Sequence, residues 1–218
     1  MKLKRPPHRV DPSLKERRRE EILDAAVILF AQHGYADTDT QFLADCLQVG
    51  KGTLYRYFRT KRELFLAAVD RVMRRLLEIV LAEMAKTDDT LEQIECGIRV
   101  FLEYFGAHPE FVELLIQERA IFKDREKPTY MAHREVNVER WRNMYRSLIA
   151  AGRIRDMSVV RISDVIGNML YGTIFTNYFS SQPKPPHEQT RDILDVVFHG
   201  ILTPSERKRR VAADDSNR

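Results

Sequence analysis

The stretch that most constrains this chain spans residues 38–65, where two very short helical patterns are separated by only three residues. Leu43, Ala44 and Leu47 mark the apolar side of the first pattern, Leu54, Tyr55 and Phe58 that of the second, and Gln48, Val49 and Gly50 lie between them. This is helix-turn-helix spacing. The outward side of the second helix carries Lys51, Gly52, Thr53, Arg56 and Tyr57. These are hydrogen-bond donors and cations around one position with no side chain, where backbone can approach a duplex closely. Short polar residues suit base edges, and cations and phenols suit phosphates.

A first helix is expected ahead of this pair, starting near Ser13, where Ser13 and Glu16 have capping-box spacing, or at the competing Asp11-Pro12 start. It should stop at Gly34. Its Ile22, Ala26, Leu29 and Phe30 recur at helical spacing and should form a small core with Leu43, Leu47 and Phe58. Helix 2 should begin at Asp39, a good N-cap residue, with Thr40 and Gln41 in its first turn. Helix 4 opens on Thr60-Lys61-Arg62-Glu63, and its stripe of Leu64, Ala68, Val72, Leu76 and Val80 predicts one long helix to about Ala85. Free N–H groups and Lys61 at its start make a ready phosphate site.

Gly34-Tyr35, Thr38, Leu43-Ala44, Val49, the run from Lys51 to Phe58, Lys61 and Leu64-Phe65 together resemble the N-terminal domain of TetR-family regulators over residues 13–70. The resemblance implies an all-α fold: an N-terminal three-helix helix-turn-helix DNA-binding domain followed by a helical effector-binding and dimerisation domain. It further implies a homodimer on a pseudo-palindromic double-stranded operator, with helix 3 in the major groove and a small-molecule effector in the second domain. The DNA-binding set carried over is Thr40, Gln41, Lys51, Gly52, Thr53, Tyr55, Arg56, Tyr57 and Lys61. By position Gln41, Lys51, Thr53 and Tyr55 face the groove. By side-chain chemistry Gln41 suits adenine and Lys51 guanine, Tyr57 and Lys61 suit phosphates, and Arg56 suits either.

The chain departs from the family pattern at four places. Asp39 stands where Ser or Thr is more usual, and a carboxylate repels phosphate. Gln48 stands where Gly is frequent, so a positive φ there would store about a kcal/mol. Gly50 replaces a usual Ser or Thr, and Phe42 a usual polar residue; Phe42 either reads a thymine methyl or, the favoured expectation, packs against helix 1.

The formal charge of +4 is unevenly placed: residues 1–65 hold 13 Lys/Arg against 9 Asp/Glu, and the remainder holds 23 of each. That is the footprint of a polyanion-facing N-terminal part, or else of a solvated basic surface. The chain divides into four segments: a flexible basic arm over 1–12, free to enter a minor groove or simply disordered; the helix-turn-helix domain over 13–65; a helical domain over 66–203; and a disordered polar tail over 204–218. Cys46 and Cys96 lack metal or redox spacing, and no apolar run approaches the roughly 18 residues that span a bilayer. A cytoplasmic location without membrane partners is expected.

Beyond residue 90 the patterns are all helical, near 90–105, 109–121, 129–151, 159–179 and 188–201. The six histidines lack ligand spacing, and no nucleophile elbow or phosphate-cradling glycine loop occurs, so no metal, cofactor or catalysis is expected. Charged residues within apolar helices, Arg99, Glu103, Glu118 and Arg119, are either solvated pairs or polar fixtures of an effector cavity completed by Trp141, Tyr145, Asn168 and Tyr171. The last two helices carry apolar faces, with Ile166, Leu170, Ile174, Phe175, Ile193, Val197 and Phe198 assigned to a two-subunit four-helix interface, against a buried layer within one chain. The sequence thus predicts a DNA-binding transcriptional regulator, a repressor released by a small molecule. Its rival is a dimeric ligand-binding or interaction protein with an impaired DNA-binding head, suggested by Asp39 and Gln48.

Overall fold

The computed structural model describes residues 12–201 and residue 205. The expected basic arm and polar tail otherwise lie outside them. Among the described residues there are nine helices and no strand: α1 (Pro12–Asp37), α2 (Thr40–Cys46), α3 (Lys51–Tyr57), α4 (Lys61–Met84), α5 (Thr90–Ala107), α6 (Pro109–Ile121), α7 (Thr129–Ala150), α8 (Val159–Phe179) and α9 (Pro186–His199).

Of the two starts open for α1, the helix takes Pro12, where proline's fixed φ suits the first helical position. Regular helix is interrupted at Gly34, whose φ of 75° favours glycine, and the carbonyls left over at this end are taken by side chains. The Thr38 hydroxyl donates to Gly34 O at 2.6 Å, and Lys61 Nζ donates to Ala36 O at 2.9 Å. Asp39 caps α2, accepting from Gln41 N at 2.7 Å, whereas α3 starts on Gly50 with no side-chain cap. At α4 Thr60 accepts from Glu63 N at 3.0 Å, and the Glu63 carboxylate reaches back to Arg59 N at 2.8 Å, one residue earlier than a standard capping box.

Ile22, Leu23, Ala26 and Phe30 of α1 are fully buried with Leu43, Leu54 and Phe58, so each short helix is held by burial in this shared core rather than by its own length. An aromatic cluster then carries the core out of the N-terminal part. Phe65 of α4 stands edge-on to Phe30 at 5.0 Å and to Tyr35 at 5.2 Å, and Phe122, at the end of α6, lies 5.0 Å from Tyr35. The expected α4 stripe is buried along its whole length, and the boundary expected after residue 65 falls inside this helix.

The structure corrects the sequence at Phe42 and at the last two helices. Phe42 does not pack against α1; it is 52% exposed. The apolar surplus of α8 and α9 is largely consumed within the chain, because both helices pack on α5 and α8 packs also on α6 and α7. Ile166, Ile174 and Ile193 are consequently buried, and Phe175 rests on Tyr130 with ring centroids 5.9 Å apart. Val197 is half-buried and Phe198 remains at the surface. What α8 leaves outside is Val160, Val165, 56% exposed, and Phe179, 75% exposed, with Val196 exposed beside Phe198 on α9.

Gln48 does adopt a positive φ, 53°, in the turn between α2 and α3. Gln48→Gly removes that strain at the cost of a freer unfolded chain, and is expected to raise stability by about 0.5 kcal/mol. A urea midpoint that falls instead would show that the Gln48 side chain contributes more than its backbone costs.

Candidate functional site

The α2–α3 pair is closed by backbone hydrogen bonds from Val49 N to Ala44 O at 2.9 Å and from Thr53 N to Gly50 O at 2.7 Å. Arg18 of α1 donates to Leu47 O at 3.1 Å, taking up an end-of-helix carbonyl of α2, and the Arg19 guanidinium lies 5.3 Å from the Phe58 ring centre. The turn is thereby fixed against α1, and the outer side of α3 is left to solvent. Lys51, Gly52, Tyr55 and Arg56 are exposed, with Thr53 and Tyr57 half-buried. Nothing lies within 4 Å of where a Gly52 side chain would begin, so a duplex backbone meets no obstruction there. Lys51 and Arg56 make no hydrogen bond or ion pair with described residues, which leaves both cations available to an external anion.

The remaining residues of the DNA-binding set have partners inside the chain. Thr40 is 6% exposed, and its hydroxyl shares a 3.1 Å hydrogen bond with the Tyr55 hydroxyl, tying α2 to α3. The Gln41 amide donates to Asp45 at 2.7 Å, a bond that a base edge must replace. Lys61, bonded to Ala36 O, also lies 4.9 Å from the Tyr35 ring centre. Arg59 is exposed beside this surface and is not singled out by the sequence pattern, although its position next to Phe58 is visible there.

A cavity of about 140 Å3 opens between α4, α5, α7 and α8. Met73, Leu76 and Val80 of α4 face Ile98 and Phe101 of α5 across it, and Trp141, Tyr145 and Tyr171 contribute as expected from the sequence. Ile166 and Leu170, assigned to the dimer interface, line this cavity. Asn168 stands outside the wall and accepts from the lining Arg134 at 2.7 Å. Arg99 and Glu103 pair at 2.8 Å on a partly exposed surface, the solvated reading.

Glu118, 1% exposed, is committed elsewhere: its carboxylate accepts from Thr129 N at 2.9 Å and from the Thr129 hydroxyl at 2.8 Å, and pairs with Arg125. Arg119 is exposed and reaches Arg125 O at 3.4 Å. Neither lines the cavity. The polar wall residues that sequence reasoning missed are His133, Arg134, Asn137 and Ser163; Asn137 and Arg134 lie on the same side of α7 as Trp141 and Tyr145, one helical turn after another toward its start.

The cavity chemistry follows from its burial. His133 Nε2 lies 2.7 Å from Asp70, whose carboxyl is held below the usual carboxylate range by that hydrogen bond and by Arg74. Burial pushes the Tyr145 phenol up to about 12 and the Tyr171 phenol further in the same direction, so both remain protonated at neutral pH. Gly97 lets Trp141 close the wall: a Cβ there would sit 2.7 Å from the indole ring. Among the described residues no cluster suited to a metal ion occurs, and no helix is long and apolar enough to cross a membrane.

Two short helices joined by a turn closed with backbone bonds and tied to a third helix by side chains, with the second one's outer side left free, have the helix-turn-helix geometry of DNA-binding proteins. Residues 22–68 match the model of the bacterial regulatory proteins of the tetR family, which covers the helix-turn-helix part of the chain. Among its relatives is the HTH-type transcriptional repressor SCO4008 of Streptomyces coelicolor, 32% identical over 113 residues, or 52% of this chain and 55% of the relative. The match therefore spans about half of that protein's length. Another is the HTH-type transcriptional repressor KstR2 of Rhodococcus jostii, 28% identical over 151 residues, covering 67% of this chain and 71% of the relative. The regulator FadR of Bacillus subtilis, solved in complex with stearoyl-CoA, shares the fold with a TM-score of 0.71 at 17% identity, over 84% of this chain and 99% of that one.

Proposed function

We propose that this protein is a cytoplasmic, homodimeric transcriptional repressor that binds a pseudo-palindromic operator through α2 and α3 and is released by a small molecule bound between α4, α5, α7 and α8. The observation that carries the proposal is α4 itself. One unbroken helix holds Leu64 and Phe65 in the core of the DNA-reading part, and Met73, Leu76 and Val80 in the cavity wall. A ligand that spreads the cavity wall therefore acts on the element that positions α3.

A second physical link supports the same route. Tyr35 N, just past the end of regular α1, donates to Gln117 of α6 at 2.8 Å; Gln117 donates to Glu113 at 2.7 Å; and the Tyr178 hydroxyl of α8 donates to Glu113. SCO4008 and KstR2 are repressors, and the stearoyl-CoA complex of FadR is an instance of a small molecule bound on this fold. Selection of bound fragments from genomic DNA, followed by competition with scrambled duplex, tests the reading. Failure to enrich any sequence over random DNA would remove it.

The dimer is proposed to form through the outer apolar residues of α8 and α9: Phe198, assigned from the sequence, together with Val165, Phe179 and Val196. Replacing both Val165 and Phe179 with Asp is expected to give folded monomers by sedimentation, and to weaken operator binding at least a hundredfold because one half-site loses its partner's contacts. An unchanged dimer would move the interface to another face.

A further inference from the structure

Tyr145 is 5% exposed and Tyr171 is half-buried against Phe101 and Tyr130, yet neither phenol oxygen has a hydrogen-bond partner among the described residues, and both side chains line the cavity. Neither oxygen is sealed away, since no buried side-chain oxygen or nitrogen among the described residues is left both enclosed and unpaired. Each O–H group is thus an accessible donor with no partner among the described residues, on a side chain that lines the cavity. The wall contains no Asp or Glu, and its one permanent charge is the Arg134 guanidinium, already bonded to Asn168. The nearby Asp70 carboxylate is taken up by His133 at 2.7 Å and Arg74 at 2.9 Å.

We propose that the cavity takes a mostly apolar molecule bearing a carbonyl or carboxyl oxygen and no positive charge, with Tyr145 and Tyr171 donating to that oxygen. Ligand binding itself is independent of the repressor reading; only operator release by the bound ligand rests on it. Aliphatic walls receive the hydrocarbon part, and the two phenols supply the donors that an acceptor oxygen needs after leaving water. An ammonium finds no carboxylate in the wall to offset its desolvation. At roughly 10–15 Å3 for each water-sized group, the cavity of about 140 Å3 holds on the order of ten non-hydrogen atoms. The faces of Trp141 and Phe101 offer a cation a weaker, alternative attraction, which makes an amine the discriminating probe.

Trp141 is the chain's single tryptophan, so its emission reports occupancy directly. Decanoic acid, 2-decanone and 1-decylamine, matched in size, are titrated into the full-length protein. The acid and the ketone are expected to give saturable changes, and the amine to bind at least tenfold more weakly. The variant with both Tyr145→Phe and Tyr171→Phe should bind the ketone about tenfold more weakly, having lost two hydrogen bonds of ordinary net strength. Each single variant should show part of that loss, which decides the matter if the double variant does not fold by circular dichroism.

Binding of the amine as tightly as the ketone, unchanged ketone affinity in the phenylalanine variants, or no saturable change with any probe would each overturn the proposal. A preference for the acid over the ketone assigns Arg134 a share in recognition; equal binding assigns the phenols the whole of it, and both outcomes support the class. Operator release is measured separately by anisotropy. Probes that bind as expected but leave the operator complex intact overturn the release mechanism and leave the cavity chemistry standing.

Discussion

Glu118→Ala is expected to destabilise the protein by about 3 kcal/mol, the loss typical of removing one partner from a buried charge pair. The reason lies at the start of α7. That helix begins after Pro128, which offers no side-chain cap, so its first N–H groups need an acceptor from elsewhere. The Glu118 carboxylate, reaching over from α6, supplies one: it accepts from both the N–H and the hydroxyl of Thr129 and places a negative charge at the helix N-terminus. Arg125 completes the set and would be left partly buried without its anion.

Glu118→Gln keeps the shape and loses the charge, and should fall between wild type and alanine. Urea denaturation monitored by circular dichroism measures both, with the midpoint moving at constant slope. A loss under about 1 kcal/mol for alanine would mean that another group caps α7. Because Glu118 lies outside the cavity wall, the Trp141 response to a ligand should persist in the folded variant, separating this role from the effector contact expected from sequence.

Glu118 also illustrates which parts of the molecule are legible in sequence. The N-terminal elements are readable because their determinants are local: Asp39 and Thr60 cap helices a few residues away, Gly34 breaks one, and Leu43, Leu54 and Phe58 repeat at helical spacing. A buried carboxylate that caps a different helix has no such local mark. An acidic residue among apolar neighbours looks the same whether it faces a ligand, a solvent channel or another helix's N–H groups.

The cavity shows the same limit. Trp141, Tyr145 and Tyr171 stand out as large amphipathic side chains, but Arg134 and Asn137 read as surface polar residues until α8 is brought against α7. The long apolar runs of α8 and α9 mislead for a related reason. Periodicity shows that a helix has a face to bury, not whether the partner is α5 of the same chain or another subunit. Ile166 and Leu170 go to the cavity and Ile174 to the intrachain core, while Val165 and Phe179, less prominent in the pattern, are the ones left outside.

The largest functional effect is expected from reversing the two unpaired cations of α3. In a variant carrying Lys51→Glu and Arg56→Glu, every operator complex should weaken by at least about a thousandfold near physiological salt. Each reversal removes one contact worth about 1 to 3 kcal/mol and adds an anion facing phosphates. Stability should barely change, since both side chains are exposed and without partners among the described residues. The variant that replaces both with Ala isolates the electrostatic share. Two cations per protomer, four per dimer, should lower the slope of log affinity against log salt by up to about 4.

A slope that stays the same in the alanine variant, while the protein remains dimeric and still answers to a cavity ligand, would show that the α3 face does not meet DNA. That outcome would favour a ligand-binding protein with an impaired head. The structure gives that alternative one concrete cause: Asp39 sets an exposed carboxylate beside the same surface, fixed there by its bond to Gln41 N. Asp39→Ser keeps an N-cap acceptor and removes the charge, so it should strengthen binding to operator and random duplex alike. If it does so only for the operator, the carboxylate contributes to sequence discrimination instead.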